Sequence, residues 1–547
     1  MIDVQGPQSG TAPADAPVRG RWAAVALPPA ALALGLGLWG IRRDDSLWGD
    51  EAVTYQVAHR SPGQLWQLVQ HVDAVHALYY LLMHAVFGLL PAGLVTLRLP
   101  SVLGVALAAA GVALLGRRLA GPRAGLLAGL AFPVFPAVQQ YAQEGRSYGL
   151  VCAGVVASGL LLLRALDRPG PGRWAAYAAV SLLTCWLHEF AVLAVLAQGV
   201  TLLVARPPRR VAAGWAVAFG AVLVGLLPLL WLSSTESKQV AWITWPGTGT
   251  VLFAAGTVVV GALCALACRR PPGTRAVTPG ADAVRPGADA VTPDTDAVAP
   301  GPDAVTPDAE AVAPGPAGVS LPGFALPLLV LPQTVLLLVS LVHPVYLDRY
   351  VVFEYAGLAL LVGAALTRLG RRIGGWPVLL AVPAALLLLL PTELHLRTPQ
   401  ARPDDLAAAA RAAHELGSPG GGVLFLPSAR RESELVYPGD YAGLWDLALS
   451  APVASSGTLG GVELPPATVT ARMDRLTRIV TVRTAGSGGV PEGTRQDAAM
   501  LRVLAADFRL CARIPVRGLV VTSYARPGDC PADSTGIPPK ARSSRDA

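Results

Sequence analysis

Charge is scarce in this sequence. Only 14% of its 547 residues are Asp, Glu, Lys or Arg and 53% are apolar, whereas soluble domains carry roughly 25% charged residues; an ordinary water-soluble domain is excluded. Lysine is nearly missing. Of 43 basic residues only Lys238 and Lys540 are lysine, and the arginines fall in short turns between apolar runs. That scatter excludes a nucleic-acid surface despite the net charge of +7, because such a surface gathers its cations on one face. A cleavable leader is also lacking: MIDVQGPQSGTAPADAPVRG is polar, and the apolar run after it is longer than a signal h-region and has no cleavage site, so it reads as a retained anchor. Cysteines number six. Cys152, Cys185, Cys264 and Cys268 sit in or beside apolar runs as small buried thiols, and Cys264-x-x-x-Cys268 has no partner ligands for zinc. Cys511 and Cys530 lie in the polar C-terminal region, where a location outside the cytoplasm would allow a disulfide.

Long apolar runs are what the sequence has in abundance. A spanning helix needs about 20 apolar residues, and runs at or near that length occur at 22–41, 94–115, 123–138, 148–164, 174–187, 190–205, 211–232, 250–268, 321–342, 350–367 and 376–391. The stretch HALYYLLMHAVFGLL at 76–90 carries His76 and His84 and runs into Pro91, which suits an interfacial helix. Charge decides its placement. If it does not cross, the turns with Arg117/Arg118/Arg123, Arg164/Arg168/Arg173, Arg206/Arg209/Arg210, Arg269/Arg270/Arg275 and Arg368/Arg371/Arg372 share one side, as the bias of positive residues to the cytoplasm requires. The expectation is an all-α polytopic membrane protein with eleven spans. Its N-terminus, 1–21, would be cytoplasmic; the core would comprise 22–268 and 321–391, with a long outer loop at 42–93. Arg42 and Arg43 lie on the wrong side of this scheme.

From Ala276 to Ala317 a seven-residue unit repeats, beginning AVTPGAD AVRPGAD. Proline in every copy and the absence of a large apolar seam exclude a coiled coil, so 269–320 is expected to be a disordered cytoplasmic linker. Beyond Pro391 the composition turns mixed. DLAAAARAAHEL reads as a helix, and GGVLFLP, RIVTVRT and GLVVTSY read as strands, predicting a small extracytoplasmic α/β domain within 392–547.

Polar residues of mixed character gather on the side opposite the arginine turns. Asp50, Glu51, Asp73 and His76 fall in the first outer loop, QQYAQEGRSY at 139–148 in the second, His188 and Glu189 at a helix end, and HPVYLDRY at 343–350. A carboxylate set against apolar surface is a competent base, and an arginine at the same depth can hold a phosphate through two hydrogen bonds. Together they suit transfer of a group from a lipid-linked phosphate to a hydroxyl. Trp48, Tyr55, Tyr79, Tyr80, Trp242 and Trp245 offer either sugar-stacking surfaces or an ordinary interfacial belt. His188-Glu189 lacks the second histidine of a zinc motif.

In that order these features resemble the GT-C superfamily of polyprenyl-phosphate-sugar-dependent glycosyltransferases. The likeness is to the branch with protein O-mannosyltransferases and lipid A aminoarabinose transferases, glycosyltransferase family 39. Four places in 22–391 carry it. WGDEAVTY is similar to the family's acidic pair in the first outer loop; DAVHALYYLLMHAVFGLL, followed by Arg98 to Ser101, looks like its His-Pro-Pro-Leu-Tyr-Tyr helix. YAQEGRSYGL and YLDRYVV resemble its Ala-Arg-Met-Tyr and Arg-Tyr-Leu elements. Both prolines of the second element are replaced, by Ala77 and Leu78.

The resemblance implies an inverting transfer of a mannose- or arabinose-like sugar from a polyprenyl phosphate to a hydroxyl of a glycan, lipid or protein acceptor. The reaction would take place on the outer face of the plasma membrane. Asp50 is the expected base; Glu51 either orients the acceptor or stabilises a helix dipole. The adjacent carboxylates would permit a hard cation such as Mg or Mn without requiring one. Asp73, His76, Tyr79, Arg146, Tyr148, His188, Arg349 and Tyr350 complete the expected substrate-binding set. Arg349 has Asp348 or lipid headgroups as an alternative partner, and Arg146 has Glu144. The competing functions are a transporter or flippase of lipid-linked glycans and a scaffold for the C-terminal domain. The first calls for internal repeats and ionisable residues at mid-membrane, which the spans lack; the second leaves the acidic pair unexplained.

Overall fold

The computed structural model describes residues 17–235, 243–268, 318–374, 378, 380–486 and 495–530. Residues 1–16, Lys238, Trp242, Arg269, Arg270, Arg275, the 276–317 repeat and Lys540 lie outside them. Helix α1 (Pro17–Leu38) leads into a loop of short helices, α2 (Gly49–Ala58), α3 (Pro62–Val69) and α4 (Ala77–Leu89). A bundle follows. It contains α5 (Leu94–Ala120), α6 (Pro122–Ala131), α7 (Pro136–Ala142), α8 (Tyr148–Asp167), α9 (Pro171–Leu187), α10 (Val192–Ala205) and α11 (Arg209–Thr235). It continues with α12 (Thr248–Ala267), α13 (Leu321–Ser340), α14 (Tyr355–Ile373) and a last helix, Ala381–Leu396.

Among the described residues, α5, α8, α11, α12, α13 and the stretch Val352–Ile373 are long and apolar enough to cross a bilayer, which makes this a membrane protein. Each of the eleven expected runs is largely helical, with one correction. The run 123–138 is not a single helix: α6 ends at Ala131, a 3-10 turn covers Phe132–Val134, and α7 restarts at Pro136. Pro133 and Pro136 have no N–H to continue the ladder. Helix α4, with 13 residues, is about 20 Å long, shorter than a hydrocarbon core of roughly 30 Å.

The bundle core joins α5, α8, α10, α13 and α14 through residues such as Val105, Val151, Ala194, Phe324 and Leu360. Close backbone approach sets the α5–α8 crossing: a Cβ on Gly104 would meet the carbonyl carbon of Gly149 at 2.4 Å, and one on Gly149 would meet the Ser101 oxygen at 2.3 Å. Small residues permit such contacts between membrane helices, and this one fixes the start of α8 beside the N-terminal end of α5.

The C-terminal region is an α/β unit. In it, β1 (Gly422–Leu426) pairs in parallel with β2 (Trp445–Asp446) and β5 (Arg478–Thr484), β7 (Leu519–Ala525) pairs antiparallel with β5 and β6 (Arg509–Val516), and β3 (Leu449–Ala451) and β4 (Val462–Glu463) form a separate antiparallel pair, so the five-stranded sheet runs β2-β1-β5-β7-β6. Helix Leu406–Leu416 packs one face; Pro466–Met473 and Arg495–Asp507 pack the other. Cys511 and Cys530 form a disulfide. Cys152 and Cys185 are buried thiols, and Cys264 and Cys268 are half-buried.

Candidate active site

The loop between α1 and α5 is held from two sides. Ser46 donates to Asp405 (2.8 Å), Leu47 N–H donates to the Tyr437 hydroxyl (2.9 Å), and Gly49 N–H donates to Asp404 (2.9 Å). Arg430 bridges Asp404 and Glu432 at 3.0 and 3.1 Å, and Ala52 of α2 enters the apolar cluster under helix Leu406–Leu416. The C-terminal unit thus fixes where α2 begins. Trp48 is extended (φ −113°, ψ 168°), and the helix opens with Asp50 and Glu51 in its first turn, where carboxylates complement the helix dipole.

Successive helical residues point about 100° apart, and these two part ways. Glu51 is fully buried. Its Oε1 accepts from Arg98 Nε (2.7 Å) and Gly145 N–H (3.0 Å), and its Oε2 accepts from Arg98 Nη2 (2.7 Å) and Arg43 Nη1 (3.4 Å). Arg98 also donates to the carbonyls of Ile41 (2.5 Å) and Ser46 (2.7 Å). Burial would raise the Glu51 carboxyl, but Arg98 and Arg43 outweigh it and hold it down at about 2. This corrects the expectation for Glu51: with both oxygens engaged and no exposed surface, it neither touches an acceptor nor offers a ligand to Mg or Mn. Among the described residues no three His, Cys, Asp or Glu side chains form a metal-binding group. Arg43 donates to Glu51 within this network, while Arg42 pairs with Asp45 at 3.0 Å.

Asp50 faces a cleft. Its Oδ2 is buried and lies 3.4 Å from Arg349 Nη2, while the side chain as a whole is 29% exposed. Arg349 lies over the Trp48 and Tyr350 rings, 5.6 and 5.8 Å from their centroids. Beyond Tyr350 comes His188 at 4.8 Å, which neighbours Tyr148 at 5.7 Å and His76 at 6.4 Å. Asp348 accepts the Tyr141 hydroxyl (2.7 Å) and the Arg349 backbone N–H (2.9 Å).

A second cation backs the cleft. Arg146 is buried; its Nη1 lies 3.5 Å from the Asp50 carbonyl and 3.4 Å from the Thr54 hydroxyl, and its Nη2 donates to His76 Nε2. His76 is therefore an acceptor at Nε2, which assigns its proton to Nδ1, and that buried nitrogen has no partner. Burial, then the Arg146 charge, pushes His76 well below the usual histidine range. Asp73, in a left-handed conformation (φ 63°), accepts from Tyr80, with its other oxygen 3.7 Å from His76. Burial raises the Asp73 carboxyl against the opposing pull of Arg146 and Tyr80.

Asp50, Asp73, His76, Arg146, Tyr148, His188, Arg349 and Tyr350 thus converge from five separated segments. Tyr79 is fully buried, its ring packed with Leu47, Ala58, Met83 and Leu97, and its neighbour Tyr80 donates to Asp73. Glu144 is not the partner of Arg146. It pairs with Arg402 at 3.3 Å, and burial, opposed by Arg402, lifts its carboxyl to about 7. Glu189 accepts the Ser233 hydroxyl at 3.0 Å. Sequence reasoning missed Arg43, Asp404, Arg430, Glu432 and Tyr437. The pair Asp404-Asp405 at the start of DLAAAARAAHEL held the available signal: Asp405 does cap that helix through Ala408 N–H at 3.0 Å, but no local pattern marks the reach of Asp404 to Gly49.

No protein-family profile matches the sequence, and no curated protein does. Solved structures that share the fold include two of one protein. One is ArnT from Cupriavidus metallidurans in the apo state, 13% identical with a TM-score of 0.51, covering 91% of this chain and 97% of that one. The other is ArnT from Cupriavidus metallidurans bound to undecaprenyl phosphate, also 13% identical with a TM-score of 0.51, covering 94% of this chain and 99% of that one. The architecture resembles that of ArnT over most of the chain.

Proposed function

We propose that the chain is an integral-membrane inverting glycosyltransferase that moves a mannose- or arabinose-like sugar from a polyprenyl phosphate to an acceptor hydroxyl on the outer face of the plasma membrane. The observation that carries this reading is the 3.4 Å approach of the Asp50 carboxylate to the Arg349 guanidinium in an aromatic-walled cleft. The bound undecaprenyl phosphate of one structure with this fold adds support for a polyprenyl-phosphate donor. The donor phosphate draws Arg349 away from Asp50, which leaves Asp50 free to take the proton of the acceptor hydroxyl. The acceptor oxygen then bonds to the anomeric carbon as the bond from that carbon to the phosphate oxygen breaks. Arg349 receives the negative charge on the departing polyprenyl phosphate, with Arg146 and His76 behind it. One displacement inverts the anomeric configuration.

The directions of the helices support the orientation. Helices α5, α8, α10 and α14 start next to the cleft and end at Arg117/Arg118, Arg164/Arg168, Arg206 and Arg371/Arg372. Over about 20 residues that separation is roughly 30 Å, so the arginine turns would face the cytoplasm while the cleft opens outside. Eleven crossings belong to the same proposal. The test is transfer by the purified full chain from a set of undecaprenyl-phosphate sugars, reading both transferred sugar and released undecaprenyl phosphate. Transfer by the parent that the Asp50→Asn protein matches would refute the assignment.

A further inference from the structure

Beside the cleft lies a cavity of about 660 Å³ between α12, α13 and the 346–355 segment. Asp348 is on its lining, which brings the cavity to within one residue of Arg349 in the chain. Two buried oxygens in its wall have no hydrogen-bond partner: Glu354 Oε2 and Gln333 Oε1. The Gln333 amide is oriented by its nitrogen, which donates to the Leu329 carbonyl at 2.9 Å and leaves the oxygen unpaired. Four rings, Trp245, Phe253, Tyr346 and Tyr355, complete the wall. Trp245 and Phe253 are 56% and 63% exposed, so the mouth opens sideways between helices.

Two unpaired acceptors call for a ligand that donates hydrogen bonds, since a buried polar atom without a partner is costly. An isoprenoid chain has no donor to give, and lying against a buried carboxyl it would leave that cost in place. Hydroxyls on an otherwise apolar ring face fit both the acceptors and the aromatic walls. We propose that this cavity seats the sugar of the lipid-linked donor, with Glu354 and Gln333 accepting its hydroxyls and the rings covering its apolar face. The inference rests on the glycosyltransferase reading and adds the residues that distinguish a glycosylated lipid from the bare one.

The experiment measures binding of undecaprenyl phosphate and of undecaprenyl-phosphate mannose, glucose, galactose and arabinose to the full chain in detergent. Glu354→Leu and Glu354→Gln are compared with the parent, and elution profile and melting temperature serve as the fold check. Replacing an unpaired buried carboxyl by leucine of similar size leaves the fold intact. The parent should bind at least one glycosylated lipid more tightly than the bare lipid. Glu354→Leu should reduce that preference about tenfold with bare-lipid binding unchanged, and Glu354→Gln, which keeps an acceptor, should retain part of it. A preference that survives Glu354→Leu overturns the inference, as does an equal loss for both lipids, which would make the cavity a seat for the chain. So does a parent without any preference. In those three cases the parent function stands if Asp50→Asn still abolishes transfer; failure to bind any of these lipids overturns both.

Discussion

Two sides of one helical turn carry the same chemistry to opposite ends. On one side of α2, Glu51 is walled in by Arg98, Arg43 and the Gly145 N–H. On the other, Asp50 is partly exposed, with Arg349 3.4 Å from its carboxylate and Arg146 3.5 Å from its backbone carbonyl. Four donors around a buried carboxylate make a strut that joins the turn after α1 to α2, α5 and the loop before α8. A lone ion pair on a partly exposed carboxylate leaves a group that can exchange its partner. The difference comes from the neighbours that the fold delivers to each, not from residue type.

The comparison breaks most visibly at Asp50. Asp50→Asn keeps the side-chain size but removes the base, and a general base contributes typically 10²- to 10⁴-fold. The transfer rate should fall by that factor while melting temperature and undecaprenyl phosphate binding hold. A variant that unfolds instead would place Asp50 with Glu51 as a strut. On the other side, Arg98→Ala strands a buried carboxylate, which costs about 3–5 kcal/mol. That protein should show poor yield and early melting, whereas full stability would mean that Arg43 alone can hold Glu51. Smaller is the effect of Tyr437→Phe, which removes the hydroxyl that accepts from Leu47 N–H at 2.9 Å and donates to the Asp45 carbonyl at 2.8 Å. A loss of about 1–2 kcal/mol is expected, read as a lower melting temperature, together with slower transfer as the start of α2 loosens.

The cleft side was the more legible of the two in the sequence. Asp50, His76, Arg146 and Arg349 stand out because each lies in a polar stretch beside an apolar run, and the alternation of runs brings those stretches to one side. Glu51 gave no such contrast: its neighbour and its helix position are those of Asp50, and only the fold shows that Arg98 and Arg43 arrive on its side. In the C-terminal unit, DLAAAARAAHEL and the three apolar strands were readable by period. Strand β6, RLCARIPV, was not, because its arginines and proline dilute a strand whose outer edge is solvated. Asp404, Arg430 and Glu432 look like ordinary polar residues of a small domain. Their role depends on contacts across more than 350 residues of chain, such as that of Asp404 with Gly49, and no local pattern encodes that. The break between α6 and α7 was written in Pro133 and Pro136, and apolar character alone concealed it.

The last contrast is between Glu51, which is fully buried, and Glu432, whose side chain is 11% exposed, and it can be tested by pH alone. Burial raises Glu432 to about 8, with Arg430 opposing and the nearby Asp404 and Asp50 adding to the rise; Glu51 is held at about 2. Glu432 binds its proton more tightly folded than unfolded. Its contribution is therefore complete below about 4.5, the ordinary glutamate value, and is lost as pH rises through about 8. The slope for one proton is at most about 1.4 kcal/mol per pH unit. Glu51 has the opposite sign: its contribution is present above about 4.5 and is lost only on acidification towards about 2. Melting curves between pH 5 and pH 8 should thus register Glu432 and be blind to Glu51. Glu432→Gln should flatten the decline without changing the loss of stability at low pH. If the decline persists in that variant with the parent's slope, the latch between Gly49 and the C-terminal unit is not what titrates, and Glu144, lifted to about 7 beside Arg402, becomes the group to replace.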